Sequence, residues 1–187
     1  RYLLMDCGPF GGVHGHEDKL SIEVCAYGQP FLIDPGTYTY NGTDPFRSHL
    51  VSSGAHNTVL VDGLSQVRRW QARHCKPQAG IREEVHWISD DGFDFISADY
   101  ADGYGTYSFA TPEHPQIVQN VTHRRSVLFV KPAYWLIIDE MEADGRHEYQ
   151  RLFQAAADID INTTESGACL RATASGATLQ LLNPKSE

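Results

Sequence analysis

Two imidazoles stand two residues apart in the run Gly8-Pro9-Phe10-Gly11-Gly12-Val13-His14-Gly15-His16-Glu17-Asp18. In extended backbone, side chains at i and i+2 share a face, so His14 and His16 can converge on one point. A metal ion is the usual reason for two imidazoles to do so. Two further donors follow. Asp34 sits where an apolar segment gives way to Pro35-Gly36, and His56 immediately precedes Asn57-Thr58-Val59-Leu60-Val61. Imidazole nitrogens with a carboxylate oxygen suit zinc, with one position left open for water or substrate. His74, His86, His114, His123 and His147 have no partner at ligand spacing and read as surface or hydrogen-bonded histidines.

These donors need a scaffold, and the pattern around them is β. Residues 20–27 alternate apolar and polar, Gly28-Gln29-Pro30 turns, and Phe31-Leu32-Ile33 runs to Asp34, which reads as a hairpin. A second hairpin joins residues 81–88 to 93–100, and a third joins 122–130 to 134–141 across Lys131-Pro132. Strands are also expected at 57–61, 148–156, 168–172 and 178–182, and the chain opens on the apolar run Tyr2-Leu3-Leu4-Met5. About ten or more short strands at regular spacing predict an all-β, antiparallel sandwich, a single domain over residues 1–187. No helical periodicity is expected. The irregular stretches 37–55, 64–79 and 102–119 are the loops on which functional residues are best sought. A strict two-residue turn at Gly28-Gln29 pairs Glu23 with Asp34. His16 then lies seven residues further on, about 20 Å if extended, so its loop must fold back, with Gly8, Gly11, Gly12 and Gly15 supplying the freedom.

The chain has 187 residues, 41% hydrophobic, with a formal net charge of −9. An acidic chain lacks the Lys/Arg excess that nucleic-acid binding requires, and no run of eighteen apolar residues suggests a membrane span. Neither nucleic acid nor membrane is therefore an expected partner. Cys7, Cys25, Cys75 and Cys169 show no CxxC spacing.

Three strings in order, residues 14–21 (HGHEDKLS), 34–36 (DPG) and 55–63 (AHNTVLVDG), resemble the C-terminal β-sandwich module of the heparinase II/III-like polysaccharide lyases, a group that includes alginate and oligo-alginate lyases. His123-Arg124-Arg125-Ser126 and the strand at 134–139 resemble its later part. The resemblance implies one zinc ion, Zn2+, held by His16, Asp34 and His56 in a largely structural role, with His14 facing a catalytic cleft. It places a tyrosine between the aspartate and the HNT motif, Tyr40 in preference to Tyr38, and a basic residue, Arg47, ahead of that motif. It implies β-elimination on an acidic polysaccharide or oligosaccharide containing uronic acid. The parent would be periplasmic or secreted and would carry an N-terminal helical toroid as the other wall of the cleft. Nothing in these residues reads as that toroid, so the chain alone is expected to be inactive.

Two other classes fit parts of the pattern. A metal cupin would share the HxH opening but would use Glu23 in place of Asp34. A non-catalytic carbohydrate-binding sandwich would draw on Trp70, Trp87 or Trp135, with Arg68, Arg69 and Arg73 beside Trp70 as a local basic patch.

Overall fold

The expected alternation is realised as a set of antiparallel sheets. The structure is a computed structural model that describes residues 1–8, 14–67, 84–105 and 117–183. In chain order its strands are β1 (Tyr2–Met5), β2 (Ile22–Ala26), β3 (Gln29–Leu32), β4 (Val59–Val61), β5 (Ser65–Gln66), β6 (His86–Ser89), β7 (Phe93–Tyr100), β8 (Tyr104–Gly105), β9 (Ile117–Val118), β10 (Val121–Val130), β11 (Tyr134–Ala143), β12 (Tyr149–Arg151), β13 (Ile159–Thr164), β14 (Gly167–Ala172) and β15 (Thr178–Leu182). The sheets run β1-β2-β3, β11-β10-β7-β6, β13-β14-β15, β5-β8-β9 and β12-β4, all antiparallel. The all-β sandwich is borne out. No helix among the described residues is long and apolar enough to cross a membrane.

Two apolar clusters hold the layers together. In the first, Ile22, Val24, Ala26, Phe31 and Leu32 of the β1–β3 sheet meet Ile159, Leu170 and Ala172 of the β13–β15 sheet, with Trp135 and Ile137 of β11 against them. In the second, Leu20, Val61, Ala98, Tyr100, Tyr104 and Val121 lie under the segment that leads into β2. Each fully buried Ile, Leu or Phe contributes about 1.5–3 kcal/mol relative to exposure, so the C-terminal side of the HxH segment is anchored firmly at Leu20 and Ile22.

Three expectations are corrected. The first hairpin turns at Tyr27-Gly28, both with positive φ (56° and 76°), so Ala26 pairs with Gln29. A bulge between Val24 and Cys25 then brings Val24 opposite Leu32. Two consecutive positive-φ residues match the right-handed twist of the flanking strands, and Tyr27 accepts the strain that glycine avoids. Second, a short helix, α1 (Pro45–Leu50), and one turn of 3-10 helix at Ser53–Ala55 interrupt the loop before His56. Six residues are too few to show periodicity, but the start signal is present: Asp44 Oδ1 accepts from Phe46 N at 2.8 Å, with proline at the first helical position. Third, the HxH segment folds back through Leu20, which adopts φ 65°. Ser21 N donates to Asp18 O at 2.9 Å, closing that turn. Among the described glycines of the approach, Gly8 has no positive φ; Gly11 and Gly12 lie outside the described residues.

Candidate metal centre and adjoining cleft

The HNT motif builds the floor of the site. Asn57, fully buried, donates from Nδ2 to Ile22 O (2.7 Å) and Ile33 O (3.0 Å), and its Oδ1 accepts from Gln154 N. It thereby holds β2, the end of β3 and the residues after β12 at fixed distances. Thr58 Oγ1 donates to Lys19 O at 3.0 Å, and Gln66 clasps Lys19 from both sides, accepting from its N–H (2.9 Å) and donating to its carbonyl (2.8 Å). Ser53 Oγ donates to Glu17 O, Glu17 N donates to Val51 O at 2.8 Å, and Asn57 N donates to Ser21 Oγ at 3.0 Å. The backbone that carries His16 and Asp18 is therefore tied at residues 17, 19 and 21 to the segment that carries His56.

On this frame four side chains converge. One donor atom from each of His16, Asp18, Asp34 and His56 lies within 4.8 Å of all the others. His16 Nδ1 and His56 Nε2 are 3.2 Å apart, and His56 Nε2 is 3.2 Å from Asp34 Oδ2. The same Nε2 is 4.0 Å from Asp18 Oδ2. His56 donates from Nδ1 to Ser52 O at 2.7 Å, which turns Nε2 toward the carboxylates. Asp34 accepts from Gly36 N on Oδ1 at 2.7 Å, an Asx turn closed by Gly36 at φ 70°, and this aims Oδ2 at His56. The turn role and the ligand role of Asp34 are thus one geometry.

Electrostatics follow from this packing. Burial disfavours a charged His56, yet hydrogen bonds to Asp34 and Ser52, and the charges of Asp18 and Asp34, outweigh it and raise its pKa. The hydrogen bond from His56 holds the Asp34 carboxyl below its ordinary value, against the opposing effect of burial. Asp18 moves the other way. Burial first, and then the charges of Asp6 and Asp34, raise it despite the pull of His56.

The donor set fits a small divalent ion. Bonds of about 2.0–2.1 Å in a tetrahedron place donors about 3.3–3.4 Å apart, close to the two 3.2 Å separations found here. Glu23, the cupin alternative, lies on β2 outside this group. Asp18 is absent from the ligand set expected from the sequence, although its signal is there: it stands two residues beyond His16, as His16 stands two beyond His14.

His14 does not join the four. It is exposed, and its ring meets Tyr40 edge to face at 5.6 Å between centroids. The Arg47 guanidinium sits 5.4 Å from the centre of the Tyr40 ring. Arg47 is 3% exposed, on α1, and its Nη1 is buried with no acceptor among the described residues. Tyr38 packs instead on Phe46 at 5.9 Å, so Tyr40 is the tyrosine beside His14.

The remaining histidines, tryptophans and cysteines lie elsewhere. His123 is buried and donates to Asp139 at 2.8 Å; His147 pairs with Asp62 at 2.7 Å; His86 lies 3.8 Å from Glu84. Trp135 stacks on Phe129 at 4.9 Å, while Trp87 is exposed. Cys25 and Cys169 are free thiols. Trp70, its neighbouring arginines, Cys75, His74 and His114 lie outside the described residues.

A family model described as heparinase II/III-like, C-terminal, matches residues 1–187. The heparin-sulfate lyase of Pedobacter heparinus is 25% identical over 148 residues, covering 76% of this chain and 18% of that protein. Among solved structures, heparan sulfate lyase HepC from Pedobacter heparinus superposes with a TM-score of 0.65 at 20% identity, covering 90% of this chain and 23% of that one. A heparinase III structure gives 0.63 at 21% identity, with 89% and 23% covered. These two likenesses show the fold. The chain spans less than a quarter of the length of the relatives it matches.

Proposed function

The chain belongs to the heparinase II/III-like C-terminal family, and from that premise we propose that it forms one wall of the active-site cleft of a polysaccharide lyase acting on uronic-acid glycans. The observation that carries this reading is the row His14, Tyr40, Arg47. An exposed imidazole, an exposed phenol and a buried, acceptor-poor guanidinium lie in contact beside the donor group. Elimination from a uronate needs those three kinds of group. The proton on C5 leaves to a base, the C4–O4 bond breaks, a C4–C5 double bond forms, and O4 takes a proton from an acid. Tyr40 and His14 are suited to carry these protons. His14 and the Arg47 charge are suited to the carboxylate, whose negative charge grows as C5 is deprotonated.

In this reading His16, Asp34 and His56 hold a single zinc ion. When bound, it supplies a rigid cross-link among the three loops. That cross-link fixes the backbone of Gly15, and so the direction of His14, much as outer groups orient the ligands of a metal site. The remaining catalytic groups would come from a helical toroid in the same parent chain, and the relatives' greater length supports that division. The relatives named as acting on heparin or heparan sulfate favour a glycosaminoglycan over alginate.

The test is binding to the chain as it stands. Unsulfated heparan-type oligosaccharides, titrated while backbone NMR shifts are followed, are expected to perturb residues around His14 and Tyr40. Arg47→Met is expected to weaken that binding about 10–100-fold, the worth of a charge-assisted contact of about 1.5–3 kcal/mol. A neutral oligosaccharide of equal length should not bind, and alginate oligosaccharides serve as the competing arm. Shifts confined to a distant face, or binding indifferent to Arg47, would remove the cleft assignment.

A further inference from the structure

The metal reading leaves a fourth position, and the geometry points to its occupant. We infer that Asp18 is the fourth ligand of the ion held by His16, Asp34 and His56, so that the shell is closed by protein and admits neither water nor substrate. This rests on the metal reading above and goes beyond it, because that reading leaves the fourth position open.

Three observations carry it. First, Asp18 Oδ2 is 4.0 Å from His56 Nε2. The ideal tetrahedral edge for zinc is about 3.3 Å, so Asp18 stands roughly 0.7 Å too far, a gap that a small side-chain rotation closes. Second, its mount is rigid. The carbonyl of Asp18 accepts from Ser21 N, Glu17 N is bound to Val51 O, and Lys19 is clasped by Gln66, so the backbone holds this carboxylate against the site. Third, no other described residue donates a hydrogen bond to the Asp18 carboxylate, and its side chain is only 24% exposed. A largely buried carboxylate that faces an imidazole nitrogen, with only its own backbone N–H as a further donor among the described residues, is suited to a cation.

Charge decides what the fourth ligand does. Two neutral imidazoles and one carboxylate leave a divalent ion with a net charge of +1 and an open face, which would attract an acidic sugar. A second carboxylate brings the site to neutrality. A neutral, four-ligand site has the character of a structural zinc centre, and on this wall of the cleft recognition of the uronate then falls to Arg47 and His14.

The experiment replaces zinc by cobalt(II) in the purified chain. Wild type is expected to bind one ion and to show the intense visible bands of a four-coordinate site. Asp18→Asn keeps the shape of the side chain, and it is expected to weaken the zinc and cobalt affinities by at least about 100-fold, beyond the loss typical of outer-sphere groups. Asp18→Cys is expected to add a sulfur-to-cobalt charge-transfer band absent from wild type, a mark that does not depend on affinity. If wild type binds the ion while Asp18→Asn binds equally and Asp18→Cys adds no band, Asp18 is not a ligand and the three-ligand reading stands. If neither metal binds wild type, while circular dichroism shows it folded, the metal reading fails and this inference falls with it.

Discussion

Replacing Tyr40 by phenylalanine, in a polypeptide that joins this chain to the helical toroid proposed above, is expected to lower turnover by roughly 10²–10⁴-fold, the worth of a positioned proton carrier. The phenylalanine ring keeps both its edge-to-face contact with His14 and its contact with Arg47. Packing is preserved, and only the hydroxyl is lost. The loss should therefore fall on kcat, read from the ultraviolet absorbance of the unsaturated product, with KM little changed. Metal content and melting temperature should match wild type, since Tyr40 is 70% exposed and outside the donor group. Tyr38→Phe is the matched control and should be silent, because Tyr38 packs on Phe46 away from His14. Unchanged turnover in Tyr40→Phe, or an equal loss in Tyr38→Phe, would contradict the cleft assignment.

The second large effect concerns stability. Arg125 is fully buried and makes four bonds: Nε and Nη2 to the two oxygens of Asp139 (2.7 and 3.1 Å), and Nη1 to Leu20 O and Asn57 O. It ties β10 to the backbone at both ends of the candidate site, one residue from His56 and two from Asp18. Asp139→Asn leaves the Arg125 charge buried and unpaired, and Arg125→Met strips the Asp139 carboxylate of its main cation, leaving it His123 at 2.8 Å and Arg151 at 3.7 Å. Each is expected to cost about 3–5 kcal/mol, or roughly 6–20 °C in Tm for a domain of this size. The double variant Arg125→Met/Asp139→Leu should recover part of that loss, because no unpaired charge remains. Single variants that melt like wild type would contradict this account of the pair.

Acid should act through the same group. Burial pushes the Asp139 carboxyl up, but the hydrogen bond from His123 and the charge and hydrogen bonds of Arg125 outweigh it, leaving its pKa well below the usual carboxylate range. A depressed folded pKa means stability that is fully present above the unfolded value of about 3.9 and is lost as pH falls toward the folded value. Wild-type Tm should therefore drop on the acid side of that value, and Asp139→Asn should lack this component.

The donors are legible in the sequence because each sits at a strand boundary with a turn signal beside it: Asp34 before Pro35-Gly36, His56 before Asn57-Thr58. The hairpins around residues 89–92 and 131–132 are legible for a similar reason, since alternation and turn residues agree. What stays hidden depends on backbone conformations that side-chain type does not announce. Tyr27 and Leu20 take positive φ without being glycine, and those two residues set the first hairpin's register and fold the HxH segment back. Arg125 reads as part of an ordinary alternating strand, because its burial depends on three distant partners. Its pairing with Asp139 follows directly from the β10–β11 register, yet only the third dimension shows that this pair faces inward. Arg47 is singled out only by resemblance; the Asp44-Pro45 start of α1 is the local sign that a helix would bury it.

In the proposed function the two histidines of the HxH motif have separate duties: His16 would hold the ion and His14 would face the cleft. Metal content per chain and melting temperature, measured side by side for His14→Ala and His16→Ala, test that division most directly. His14→Ala is expected to retain one bound ion and the wild-type melt. His16→Ala is expected to lose the ion and melt lower, by the roughly 2.7 kcal/mol that saturation at a hundred times Kd confers, or about 5–10 °C. Loss of the ion in both variants, or its retention in both, would contradict the division.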